Sequence, residues 1–239
     1  MTSHPPAIEA LGICRRYGRR WALADVTVSV PRGSALMVTG RNGSGKSTLL
    51  RILATAIRPH RGTARVEGLD LRGQTRDVRR RVALLSHHHY LYDSLTALEN
   101  LQIAARFLNR DPSRKALLPL LAEVGLADRA DDAPVGFSAG MRKRLALARV
   151  LLPPASVVLL DEPYGQLDPP GFRLVDRLVA RWREQGATVL MATHLLERGG
   201  DLCDGAIVLD EGRLTWEGPA REVAAQSGLA APVLVEGGA

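Results

Sequence analysis

A chain of 239 residues that is 46% hydrophobic and 24% charged has the composition of a globular protein able to bury a sizeable core. Its longest apolar runs, at 157–160 and 189–192, are far shorter than the ~20 residues needed to cross a bilayer. The first ten residues carry two prolines and a glutamate where an export signal needs a basic start and an unbroken apolar stretch, so a cytoplasmic location is expected. The net charge of +7 suits nucleic acid, anionic lipid or an acidic protein equally and selects none of them. Cys14 and Cys203 stand in unrelated contexts and read as small buried hydrophobes, without metal or disulfide spacing.

In chain order, Val26, Val28 and Val30 alternate with Thr27 and Ser29 and predict a half-buried strand stopped by Pro31. Residues 64–67 alternate similarly, which predicts an antiparallel β layer near the N-terminus. Continuous apolar runs at 35–39, 157–160 and 188–193 instead suit parallel strands covered on both faces. The basic run 76–81 reads as a solvated helical face. Over 93–152, Leu95, Leu98, Leu101 and Ile103 predict an amphipathic helix, and 116–124 and 142–152 predict two more. Residues 206–209, the turn Asp210-Glu211-Gly212 and residues 213–216 read as a hairpin. The expected organisation is one domain with its core at about 1–86 and 153–226, an inserted helical lobe at about 87–152 and a tail at about 227–239.

The three apolar runs end in Gly40, in Asp161-Glu162 and in His194, and ligands of α/β sheets bind at the carboxyl ends of strands. Gly40-Arg41-Asn42-Gly43-Ser44-Gly45-Lys46-Ser47-Thr48 has the glycine, lysine and hydroxyl spacing of a phosphate loop, with an apolar strand before it and a helical pattern after it. Glycines let the backbone amides and the helix N-terminus close on phosphate oxygens, Lys46 reaches the β- and γ-phosphates of ATP, and Ser47 can ligate Mg²⁺. Asp161 is expected to hold the Mg²⁺ shell and Glu162 to polarise the attacking water. His194 is expected to bond the γ-phosphate or that water. The fold class that follows is α/β, a phosphate-loop nucleotidase core with a parallel sheet, an N-terminal antiparallel β layer and an inserted helical lobe.

Phe137-Ser138-Ala139-Gly140-Met141 ahead of a basic helix makes the chain resemble the nucleotide-binding subunit of ABC transporters over nearly its whole length. That family's signature is usually Leu-Ser-Gly-Gly-Gln, of which this chain keeps the serine and the second glycine. The resemblance implies ATP hydrolysis in a head-to-tail dimer of ATPase subunits, in which Ser138, Ala139 and Gly140 touch the ATP held by the partner. It also implies separate transmembrane permease subunits and a peripheral place on the cytoplasmic side of the membrane. Tyr17 takes the position that stacks on adenine, and Gly165-Gln166-Leu167-Asp168 resembles the loop after the acidic pair, with Asp168 its firmest match.

His87, in Ser86-His87-His88-His89-Tyr90, stands where the family usually has a glutamine beside the nucleotide and Mg²⁺. A neutral imidazole can accept a hydrogen bond there, whereas a protonated one cannot, so hydrolysis is expected to fall below about pH 6.5. A metal site built from the three adjacent histidines is the rival reading, weakened because consecutive side chains diverge. With residues 95–101 and the Ser138-Ala139-Gly140 variant, this segment resembles the ATPase subunit of the haem exporter of cytochrome c maturation. Another cargo (a drug or a lipid) and a soluble ABC ATPase of nucleic-acid or iron-sulfur processes remain as alternatives. Nucleic acid is not an expected partner, since tandem ATPase domains and long coiled-coil insertions are absent.

Overall fold

The computed structural model describes residues 5–226; the expected tail at 227–239 lies outside them. The elements run β1 (Ile8–Tyr17), β2 (Arg20–Val30), β3 (Ala35–Thr39), α1 (Lys46–Leu53), β4 (Arg61–Val66), β5 (Leu69–Asp70), α2 (Thr75–Arg79) and β6 (Val82–Leu85). Three helices follow, α3 (Ala97–Phe107), α4 (Arg114–Glu123) and α5 (Ala139–Val150). The chain then returns to strands with β7 (Val157–Asp161), α6 (Pro169–Glu184), β8 (Thr188–Ala192), α7 (Leu196–Leu202), β9 (Gly205–Asp210) and β10 (Arg213–Pro219).

Two sheets form. One is antiparallel, in the order β2-β1-β4-β5; the other has the order β10-β9-β3-β8-β7-β6 and is parallel from β9 to β6. The three apolar runs become its central strands β3, β7 and β8, buried along their whole length. Met37, Val158, Leu160, Val189 and Met191 pack into one core with the helices α3 to α6, while Leu36, Val38, Leu159, Leu190 and Ala192 pack into a second core with α1 and the antiparallel sheet. Burial on both faces is what removes the polar alternation from these strands.

β1 and β6 went unread in the sequence. β1 breaks its own alternation with register shifts around Gly12, which sits at φ +61°, and β6 has only four residues. The basic run 76–81 falls on α2 and the turn after it, with Val78 turned inward. In the helical lobe, α3 begins at Ala97 and not at Leu95, because Thr96 and Glu99 form a reciprocal capping box. Asn100, buried inside α3, donates to the carbonyls of Tyr92, Leu95 and Thr96 and accepts from the Tyr92 amide, which fixes the loop entering the lobe. Cys203 is buried, and Cys14 is half-buried with its Sγ accepting from the Asp25 amide.

Candidate functional site

At the carboxyl edge of the parallel sheet, β3 ends in the glycine loop. Gly40, Gly43 and Gly45 all adopt positive φ, at +135°, +79° and +111°. A Cβ on Gly40 would lie 2.0 Å from the Leu209 carbonyl oxygen, and one on Gly45 would lie 2.3 Å from that of Ala22, so the loop tolerates no side chain at either position. The loop is held from behind: the Gly212 amide donates to the Ser44 carbonyl and the Ala24 amide to the Gly212 carbonyl. The turn between β9 and β10 thereby braces the loop against β2.

Lys46 opens α1 and is buried, its Nζ donating to the carbonyls of Gly40 (2.7 Å) and Arg41 (3.0 Å). Burial pulls this lysine below its ordinary value, against the opposing fields of Glu162 and Asp161. The Ser44 hydroxyl is buried without a hydrogen-bond partner among the described residues, a donor suited to a phosphate oxygen. Ser47 Oγ donates to Asp161 Oδ1 at 2.9 Å, and Asp161 is 2% exposed at the end of β7. A hydroxyl and a carboxylate at this spacing are hard oxygen donors of the kind Mg²⁺ takes, so these residues fit that ion.

Glu162 follows at φ +48°, a conformation uncommon for a residue with a side chain. Its amide donates to the Ala192 carbonyl of β8, and its carboxylate Oε2 lies 2.9 Å from Nδ1 of His194. The three strand ends expected to converge therefore do so. His194 differs in one respect: its ring partner in the protein is Glu162, through which it can orient the carboxylate.

The other predicted residues are placed as follows. Tyr17 ends β1 half exposed, with the Arg15 guanidinium 5.0 Å from its ring centroid, and the adjoining hairpin nears the phosphate loop through Arg20, which a Cβ on Gly43 would meet at 3.7 Å. Ser138 caps α5, its Oγ accepting from the Met141 amide; Ser138 and Ala139 are exposed, and no hydrogen bond joins them or Gly140 to residues 40–48. Asp168 caps α6 by accepting from the Gly171 amide and also pairs with Arg144, which holds its carboxyl below the ordinary range. The Asp168 carboxylate thus has two partners within its own chain. Asn42 and Thr48 lie in the loop and in the first turn of α1, beside exposed Arg41.

His87 is exposed and its ring meets the edge of His88 at 5.6 Å; no hydrogen bond joins it to Ser47 or Asp161. Among the described residues no three His, Cys, Asp or Glu side chains assemble in metal-ligating geometry, so the histidine run does not enclose an ion. His89 is half-buried, and desolvation, with Lys143 and His87 adding to it, lowers it from 6.5 to about 4. Its neutral form is favoured by folding, so its contribution to stability is present above pH 6.5 and is lost as the pH falls from 6.5 towards 4. A His89→Gln variant should show a flatter fall of melting temperature over that window, measured by thermal denaturation; an unchanged slope would assign the acid sensitivity elsewhere.

Lys143 of α5 is a functional candidate that the sequence pattern hides among the basic residues at the start of the helix. It shares the buried stripe of α5 with Leu147 and Val150, at spacings of four and seven residues, and a lysine in that register was the available signal. Its Nζ donates to the Glu162 carbonyl at 2.7 Å.

The profile of the ABC transporter family matches residues 23–165, more than half of the chain. The chain belongs to the ABC transporter family. This ABC ATPase is 38% identical over 224 residues to the daunorubicin resistance ATP-binding protein DrrA3 of Streptomyces coeruleorubidus, covering 93% of this chain and 71% of that one. It is 32% identical over 200 residues to the ABC transporter ATP-binding protein NatA of Bacillus subtilis, covering 82% and 81%. Among solved structures, an ATP-binding subunit of an ABC transporter superposes with a TM-score of 0.82 at 28% identity, covering 95% of each chain. A dimeric cassette bound to ADP and phosphate superposes equally well at 25% identity, covering 90% of this chain and 99% of that one. The ABC ATPase binds and hydrolyses ATP as the ATPase subunit of a transporter. No helix among its described residues is long and apolar enough to cross a membrane.

Proposed function

We propose that this ATPase subunit works as a homodimer with two Mg²⁺-ATP molecules between its protomers, on the cytoplasmic face of the membrane, driving separate permease subunits. The reading is carried by the split of the nucleotide site. Ser47, Asp161, Glu162 and His194 gather at one sheet edge, while the exposed Ser138 and Ala139 and the half-buried Gly140 stand at a helix start that no hydrogen bond ties to the phosphate loop. Such a helix start favours an anion supplied from outside the protomer.

Within the site, Lys46 and the loop amides bind the phosphates and Glu162 accepts a proton from the attacking water, with His194 orienting its carboxylate. Mg²⁺, held by Ser47 and Asp161, would neutralise charge on the phosphate oxygens. Tyr17 supplies the adenine platform. His87, exposed beside the lobe, would have to move inward to take the role implied for it.

The permease is expected at the groove of about 300 Å³ between β6, α3 and α5. Its rim carries Phe107, 81% exposed, and Tyr90, 61% exposed, apolar surface suited to a cytoplasmic helix of a membrane subunit. The cargo that sits best with the drug-resistance relative is an amphipathic small molecule moved outward; haem is a narrower reading supported only by the resemblance at His87 and Ser138-Ala139-Gly140. Affinity purification from native membranes should recover a polytopic membrane protein with the wild type and lose it with Phe107→Asp, whose ATPase rate in isolation stays within about twofold. Equal recovery by both would remove the groove from the assignment, and salt-sensitive retention of duplex DNA in place of a membrane protein would overturn the transport reading.

A further inference from the structure

Lys143 has a burial that folding stability does not account for. It is 2% exposed, and the only hydrogen bond of its ammonium among the described residues goes to the Glu162 carbonyl at 2.7 Å. Taking an ammonium out of water is costly, and an apolar side chain of similar length commonly serves stability as well or better. Desolvation lowers this lysine to about 8, with Asp161 and Glu162 pulling the other way.

The group it holds is unusual in its own right. Glu162 sits in the left-handed region at φ +48°, and four residues later Gln166 does so at +68°, so the segment leading away from the carboxylate stores backbone strain that its surroundings must restrain. The restraint comes largely from α5. Gly140 abuts the Gln166 carbonyl so closely that a Cβ would lie 3.0 Å from it, Lys143 holds the Glu162 carbonyl, and Arg144 pairs with Asp168 at 2.9 Å. A little over one turn of a single helix thus grips the start, the middle and the end of residues 162–168. Of these contacts, the lysine's is the one made to the residue that bears the carboxylate.

We propose that Lys143 is the positioning residue for Glu162, a strut through which α5 fixes the peptide that aims the carboxylate at the attacking water. Ser138 caps the same helix five residues earlier, about 7.5 Å along its axis. A shift of α5 driven from its N-terminus is therefore delivered to Glu162 with little slack. The inference rests on the reading of Glu162 as the base.

Three variants test it: Lys143→Met, which keeps length and loses the donor; Lys143→Leu, a second donor-free replacement in case the first fails to fold; and Lys143→Gln, which keeps a donor without the charge. A donor-free variant should melt at or above the wild-type temperature and bind a fluorescent ATP analogue within about twofold of wild type. Its kcat should fall at least tenfold with KM little changed, and the glutamine should restore several-fold of that loss. A donor-free variant that turns over within twofold of wild type overturns the proposal. So does one whose stability, ATP affinity and kcat fall together, because that makes Lys143 a packing residue. Glu162→Gln, run alongside, separates the two readings: turnover there removes the base, whereas a silent Glu162→Gln beside a fully active Lys143→Met removes only the strut.

Discussion

Glu162→Gln should bind ATP as tightly as the wild type and hydrolyse it at least a hundred times more slowly, the lower end of what a positioned base contributes. The substitution is close to isosteric, and the hydrogen bond to His194 Nδ1 survives it, because a glutamine carbonyl accepts as the Oε2 carboxylate oxygen does at 2.9 Å. The main-chain bonds to Ala192 and Lys143 are untouched. What disappears is basicity alone, so the loss should fall on kcat and leave thermal stability near wild type. Phosphate release under saturating ATP checks the rate. Gel filtration with ATP checks the assembly, where the variant should run as a dimer that the wild type forms only in passing. Turnover within tenfold of wild type would remove Glu162 from the role, and a monomer under saturating ATP would remove the split site.

The second large effect is structural. Gly45→Ala must adopt φ +111° with a Cβ 2.3 Å from the Ala22 carbonyl oxygen and 2.7 Å from Leu23 Cδ2. Backbone strain costs about 1–3 kcal/mol and the displacement of packed neighbours a further ~1–3 kcal/mol, against a total stability of about 5–15 kcal/mol. Urea denaturation should show a loss of ~2–6 kcal/mol together with loss of ATP binding. Gly43→Ala is the internal control. It also has positive φ, but its Cβ would meet only the flexible Arg20 guanidinium at 3.7 Å, so its cost should stay near 1–2 kcal/mol. Equal losses in the two variants would mean that the wall formed by β2 is softer than its geometry implies.

Much of this site is legible in the sequence because its chemistry is local. The phosphate loop is nine consecutive residues, and the strands carrying it, Asp161-Glu162 and His194 announce themselves by apolar runs that only a doubly covered sheet requires. What escaped depends on which elements become neighbours. That His194 meets Glu162 follows from β7 and β8 being adjacent and parallel, a pairing that no periodicity encodes. Asp168 read as the firmest match in the loop after the acidic pair; that its carboxylate caps α6 and pairs with Arg144 needs α5 laid beside that helix. β1 was hidden by its own irregularity at Gly12, and Lys143 by the basic residues around it, although its register among Leu147 and Val150 placed it inside.

The brace behind the phosphate loop also sets an order of events. Ser44 and Ala24 are linked through Gly212, so the loop near residue 40 takes its final support from a turn some 170 residues further along the chain. As the polypeptide leaves the ribosome, its glycine loop is finished early but stays unsupported until the β9–β10 hairpin has followed it out and docked. Closing so long a segment is slow compared with local helix formation. The braced form of the phosphate loop therefore exists only once the last strand pair is in place.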